Sequence, residues 1–477
     1  MGDDRDVVGS ARCALGAPAR RASDGGVVSV IFLSAFVLFL IYLNAPAVAV
    51  RVHGAPFVFA AAVPMVLAIP VAHRMLIRGE PLRFPRVLAV SVGLLGVQFL
   101  SALFSARPFE SLDLVETWAL EGVLLALLIA NAVRTRDEVR AAALAVVSAG
   151  AIMGAIACLQ QLLGPAEWPF AGFGQLASEI ADGDGRVATR LAGPIGETNR
   201  FAQIMAVLLP IGAGIALASR GAARVAAWVA VCLTAAGMAF AFSRGVIVAL
   251  GLAVPVALWI GMLRWRQLAL AGLAAVVMLA AMPHYAERVL SIGTTIAQTM
   301  GLEPAGLRNS DGAVRGRLTE MKSAGLLFLE HPVLGAGPGM APYAYERHAG
   351  VVGGKVRAGT RRSHNLYLQL ASETGLVGLA AFCLVVLASF SELERARKRF
   401  VSNDRALWGI VCGLELALVI SLASSLFLHA AYVRYFWVLI GLATAASAQP
   451  GAPALAAFLS RALRQTAERL RADEARA

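Results

Sequence analysis

Residues 361–390 read RRSHNLYLQLASETGLVGLAAFCLVVLASF. Five polar or cationic positions give way at Leu366 to an apolar run in which Glu373 is the sole charge. At 1.5 Å of rise per helical residue, such a run is long enough to cross about 30 Å of hydrocarbon. Segments of the same kind recur at 27–44, 56–73, 87–104, 115–133, 141–163, 200–218, 225–242, 245–263, 267–282, 407–428 and 431–448. Of 477 residues, 58% are hydrophobic and 15% charged, too apolar and too sparsely charged for a soluble domain. A helix satisfies its own backbone in lipid, so the sequence predicts an all-α polytopic membrane protein of about twelve transmembrane helices. The least regular segments are 115–133, with Glu116 and Glu121, and the short 267–282.

Charge sets an expected orientation. With the N-terminus cytoplasmic, alternate connections gather Arg74, Arg78, Arg83 and Arg86; Arg134, Arg136 and Arg140; and Arg395, Arg397, Lys398, Arg399 and Arg405. The opposite short loops carry about one cation each, among them Arg51, Arg107, Arg244 and Arg434. This is the positive-inside pattern and puts both termini in the cytoplasm. The net charge of +12 is then a topology signal, and no nucleic-acid partner is implied. The N-terminal tail 1–26 is polar, with no small-residue cleavage site after the first span, so no removable signal peptide is read. Cys158, Cys232, Cys383 and Cys412 lie inside spans and Cys13 in the tail, which implies neither a disulfide framework nor a metal site. In the tail 449–477, Leu455, Phe458, Leu459 and Leu463 alternate with Arg461, Arg464 and Arg469, as in an amphipathic helix lying on a membrane surface.

The organisation is therefore helices one to five over 27–163, a first outer loop 164–199, helices six to nine over 200–282, a large outer loop 283–365, and helices ten to twelve over 366–448. Both long polar loops face outward and are too short to fold alone, so they are expected to cap the bundle. Within the second, 313–330 has helical periodicity, with Leu318, Met321, Gly325 and Phe328 as its apolar stripe. His331-Pro332 ends it, and Gly335-Ala336-Gly337-Pro338-Gly339 forms a compact turn.

The polar chemistry concentrates where these loops meet the membrane. Ser363 is read as an N-cap, with His364 and Asn365 in the first helical turn. Free N–H groups and the helix dipole there suit anionic oxygens, and with Arg361 and Arg362 nearby they disfavour imidazolium. A neutral His364 can accept a proton from a hydroxyl nucleophile; its plain alternative is an interfacial polar residue. Arg244, in Ser243-Arg244-Gly245, lies at membrane depth, where a guanidinium needs water or an anionic partner. Two parallel N–H donors suit phosphate oxygens; snorkelling to the interface is the alternative. Arg317 and Arg315 have the ordinary reading of a solvated helix face. Asn199 and Arg200 mark the re-entry of the first loop and can cap a helix or bind headgroups. Glu373 is about 13 Å along a helix from His364, too far for a simple dyad. Glu415 reads as a carboxylate hydrogen-bonded inside the bundle. Trp168, Phe170 and Phe173 suit sugar stacking or an interfacial aromatic belt equally.

These blocks resemble the O-antigen ligase and O-unit polymerase superfamily of bacterial inner-membrane glycosyltransferases. The matching pieces are Gly193-x-x-Gly196-x-x-Asn199-x-x-Ala202, Ser243-Arg244-Gly245, Arg317 leading to His331-Pro332-x-x-Gly335-x-Gly337-x-Gly339, and Ser363-His364-Asn365-x-x-Leu368-Gln369-x-x-x-Glu373-x-Gly375-x-x-Gly378. The resemblance spans about 190–390 and implies a GT-C-like bundle capped by a periplasmic loop. It implies metal-independent, inverting transfer from an undecaprenyl-diphosphate-linked glycan, without a cofactor, at the periplasmic face of the inner membrane. On it, His364 is catalytic, Arg244 and Arg317 bind the diphosphate, and Asn199, Arg200, Arg361, Arg362, Asn365 and Glu373 support them. The acceptor would be lipid A-core, a growing glycan or a protein, chosen in the loop 340–362. A bicarbonate-type transporter of the same superfamily and a non-catalytic scaffold for polysaccharide assembly are the readings of a different class.

Overall fold

A computed structural model describes residues 21–164, 167–181, 187–281, 312–352, 361–428 and 434–450. The N-terminal tail 1–20, Arg186, residues 282–311 of the large loop, 353–360 of the acceptor loop and the amphipathic tail 451–477 lie outside them, as does the side chain of Arg315.

Among the described residues every predicted apolar segment is largely helical, but fewer than twelve helices qualify as spans. Among the described residues seven are long and apolar enough, or eight if the bent pair Ile31–Tyr42 and Ala45–His53 counts as one. Arg244–Trp259 is 16 residues long, and 17 residues of Trp265–Ala281 fall within the described part of the chain. The 115–133 segment divides into Pro108–Trp118, a π-helical turn Ala119–Leu124 and Leu125–Ala132. Its Glu121 forms an ion pair with Arg434 at 3.0 Å, which explains a carboxylate at that depth. Glu415 likewise faces Arg397, at 3.3 Å.

Thr198–Ala218 and Arg405–Ser424 form the centre, each with 72% of its apolar window buried. Lipid supplies little hydrophobic drive between helices, so close backbone approach has to hold them together. Gly214 and Gly409 provide it: a Cβ on either would strike the other's backbone carbonyl.

Two features depart from expectation. The first loop contains an antiparallel hairpin, β1 Gln175–Ala181 and β2 Val187–Gly193, with Ser178 opposite Arg190. The Leu366–Phe400 helix is interrupted at Gly375, whose φ of 65° and ψ of −168° belong to a region open essentially to glycine. The His331–Gly337 segment fills that break. Ala336 N–H donates to the Ser372 carbonyl at 2.9 Å, Gly337 N–H to Glu373 at 2.9 Å, Leu376 N–H to Pro332 at 2.8 Å and Val377 N–H to Val333 at 3.3 Å. Ser101 Oγ also donates to the Glu373 carbonyl, at 2.8 Å. Gly335, Gly337 and Gly339 all have positive φ, and a Cβ on them would strike the Glu373–Thr374 backbone, Ser105 and Leu114. The glycines of this motif thus let a loop lie against a broken helix.

A methyl at Gly375 would meet the Val333 carbonyl and strain the backbone. Gly375→Ala is expected to lower stability by about 1–3 kcal/mol or more, read as an earlier thermal melt in detergent and lower abundance. An unchanged melt would mean that the break is not maintained.

Candidate functional site

The Leu366–Phe400 helix begins with Asn365 as N-cap. Asn365 Oδ1 accepts from Leu368 N–H at 2.9 Å, and Nδ2 donates to the Leu426 carbonyl at 3.1 Å. Leu366 N–H donates to the Ser425 carbonyl at 2.9 Å. Ser363 is buried and instead donates to the Asn365 carbonyl at 3.2 Å. The expected Ser363 cap is therefore displaced by two residues, because asparagine caps equally well and also ties the start to the turn at 425–427. His364 consequently lies before the helix, not in its first turn. Its φ of 47° is left-handed, a conformation histidine tolerates better than most residues.

His364 is 29% exposed, and its Nε2 is 3.8 Å from Oε2 of Glu320, whose side chain is 2% exposed. Glu320 belongs to the Gly312–Glu330 helix, which packs against Leu366–Phe400. The predicted stripe Leu318, Met321, Gly325 and Phe328 is only partly buried on this helix. Buried instead are Gly316, Thr319, Glu320, Ser323, Ala324 and Leu327, a line of mostly small and polar residues at three- and four-residue spacing. Residue size decides this, since small side chains let the helix approach its neighbour. Sequence reasoning missed Glu320; the usable signal was that polar line, three residues after Arg317 and hence on a neighbouring position of one face. Arg317 is half-buried.

Arg244 opens the Arg244–Trp259 helix behind its N-cap, Ser243. Ser243 Oγ donates to Asn199 Oδ1 at 3.1 Å, and the same oxygen accepts from Arg190 Nη2 at 3.0 Å. Arg190 Nε reaches the Ala241 carbonyl at 3.0 Å, and Leu191 N–H donates to Phe240 at 3.1 Å. Asn199 therefore ties β2, the start of the Thr198–Ala218 helix and the turn before Arg244. Arg190, on β2, is part of that tie. A Cβ on Gly245 would lie 3.0 Å from Phe427. The turn at 425–427 thus receives both the block carrying Arg244 and the block carrying His364.

Arg200 pairs with Glu197 at 3.2 Å. Arg200, Arg51 and Arg434 lie within Coulombic reach of Tyr435. Arg361 and Arg362 are exposed just ahead of Ser363. Glu373 is buried at the helix break, where Gln369 Nε2 lies 3.4 Å from its Oε2, and the structure does not bring it to His364. Nearby, the Ala341–His348 helix is pinned by Tyr343, whose hydroxyl donates to Glu110 at 2.8 Å while Arg107 covers its ring at 4.3 Å. That hydrogen bond and the Arg107 guanidinium hold the Glu110 carboxyl below its ordinary range. Trp168 is exposed and its ring centroid lies 6.5 Å from that of Phe170. Among the described residues no three His, Cys, Asp or Glu converge as they would around a metal ion.

Two half-buried guanidiniums and an imidazole beside a carboxylate, at the end of a lipid-embedded bundle, can bind a polyanion and move a proton. Residues 228–383 match the family model described as O-antigen ligase. The matched residues form an O-antigen ligase-like domain, which supports a place in the O-antigen ligase and polymerase superfamily. The O-antigen ligase domain includes Arg244, Arg317, Glu320, His364, Asn365 and Glu373, while Asn199 and Arg200 precede it. It supports glycan transfer of the ligase and polymerase type by a membrane protein. No curated protein matches the chain.

Asn365→Ala removes the cap and the bond to Leu426 together, and should destabilise the domain by about 1 kcal/mol. Asn365→Asp keeps the acceptor for Leu368 N–H and should retain part of that. Melting curves of the two variants in detergent measure the difference, and equal melts would deny the cap its role.

Proposed function

We propose that this protein transfers a glycan from undecaprenyl diphosphate to an acceptor hydroxyl at the periplasmic face of the inner membrane, as an O-antigen ligase or a surface polysaccharide polymerase. The observation that carries the reading is that one turn, 425–427, receives both Asn365-Leu366, next to His364, and Gly245, next to Arg244, inside the O-antigen ligase domain. The positive-inside pattern puts this corner on the periplasmic side and both termini in the cytoplasm.

Arg244 and Arg317 hold the diphosphate and stabilise the negative charge that grows as it leaves. His364 takes the proton of the acceptor hydroxyl, whose oxygen attacks the anomeric carbon from the face opposite the diphosphate. One direct displacement inverts that carbon. With guanidiniums supplying the charge, no metal ion is required. The prenyl tail stays in lipid, which accounts for arginines at membrane depth. The acceptor is lipid A-core or a growing glycan, met near 340–362; a protein hydroxyl would need the same chemistry.

Deleting the gene and complementing it tests this on a gel of envelope polysaccharide. Wild type restores the surface polymer and His364→Ala does not, at equal abundance. Single-repeat product in the deletion strain identifies a polymerase, and full-length chains left on the carrier a ligase. An unchanged profile overturns the reading and moves the transporter ahead. Arg244→Lys should lose most activity, about tenfold or more, because lysine cannot offer paired donors to phosphate. A fully active Lys variant would reduce Arg244 to a charge. Transfer in isolated membranes should survive EDTA; a loss that only a divalent ion restores would refute the metal-free step.

A further inference from the structure

Glu320 is 3% exposed in a lipid-embedded chain, and the sequence pattern gave it no part. A carboxylate so far from water is costly unless a charged or hydrogen-bonding group compensates it. It faces Nε2 of His364 at 3.8 Å, on the turn that precedes a span. It also follows Arg317 by three residues, so one short element carries both groups on neighbouring positions.

The geometry points to Glu320 as a positioning residue for His364, an inference that rests on the glycan-transfer reading. Its carboxylate accepts a hydrogen bond from Nε2–H, fixes the tautomer and leaves the Nδ1 lone pair to act as the base. Contacts of this kind are often long without substrate and tighten when it binds. In the transfer, the acceptor O–H gives its proton to Nδ1 as its oxygen bonds to the anomeric carbon. The bond from that carbon to the diphosphate oxygen breaks, and its electron pair leaves with undecaprenyl diphosphate. The imidazolium formed is balanced by Glu320, as a buried carboxylate balances a catalytic histidine in hydrolases, and the proton then passes to water. Because the Gly312–Glu330 helix carries both Arg317 and Glu320, it sets the diphosphate site and the orientation of the base together.

The test compares Glu320→Gln, Glu320→Asp and His364→Ala in full-length protein in host membranes. Initial transfer rates are measured against added lipid-linked glycan extracted from the deletion strain. Glu320→Gln preserves size and should lower kcat about ten- to a hundredfold while donor KM stays within about twofold. Glu320→Asp should recover part of the rate. In purified protein labelled with 15N-histidine, the His364 signals should report Nε2–H in wild type and in Glu320→Asp, and change in Glu320→Gln. A wild-type rate with unchanged His364 signals in Glu320→Gln overturns the proposal, as does a loss confined to abundance or KM. If His364→Ala itself transfers at the wild-type rate, the catalytic reading of the site fails instead, and the nitrogen signals still report whether Glu320 orients the ring.

Discussion

The geometry of the site depends on four backbone hydrogen bonds at one broken helix. Where Leu366–Phe400 is interrupted at Gly375, the freed amides and carbonyls are met by the 332–337 backbone. In a lipid-embedded segment such groups must find partners, and water is not on hand to supply them. The same bonds fix the chain between the helix carrying Arg317 and Glu320 and the helix that starts after His364. Two elements far apart in sequence are thereby locked in register, and a 3.8 Å contact between Glu320 and His364 becomes reproducible.

Buried charge elsewhere in the bundle follows a simpler rule. Glu121 meets Arg434, Glu415 meets Arg397, and Arg74 lies between Glu80 and Glu138. For the fully buried Arg74–Glu138 pair, removing one member strands the other, at roughly 3–5 kcal/mol. Most of these partners sit on helices, and Glu80 follows the end of one. The Glu320–His364 contact differs in kind, because one member is an imidazole, which can both give and take a proton.

How much of this was legible follows from the range of each interaction. The apolar segments were readable because hydropathy is local, and Arg244, Arg317 and His364 could be put forward as candidates because their motifs are local too. Asn365 displaced Ser363 as the cap through a contact with Leu426, some sixty residues away, which no local pattern contains. Glu320 was hidden because an apolar stripe usually marks the buried face, while here small and polar residues were buried to bring two helices close. The hairpin had a signal that went unused: Asp182-Gly183-Asp184-Gly185 separates its two strands, a strong turn sequence. The glycines at 335, 337 and 339 were read correctly as a turn, but their purpose lies in Glu373, Ser105 and Leu114, which only the fold brings to them.

The broken helix also bears on transport against transfer. Transporters use discontinuous helices near the midplane because unwound backbone can coordinate a substrate or an ion. Here the groups around Gly375 are already engaged: the Ser372 and Glu373 carbonyls accept from Ala336 and Gly337, and the Leu376 and Val377 amides donate to Pro332 and Val333. An ion would have to displace a loop held by those bonds and by close glycine packing. The candidate site lies instead at the turn 425–427, which receives the blocks carrying His364 and Arg244. That distribution suits chemistry at one membrane face on a carrier whose tail never leaves the lipid.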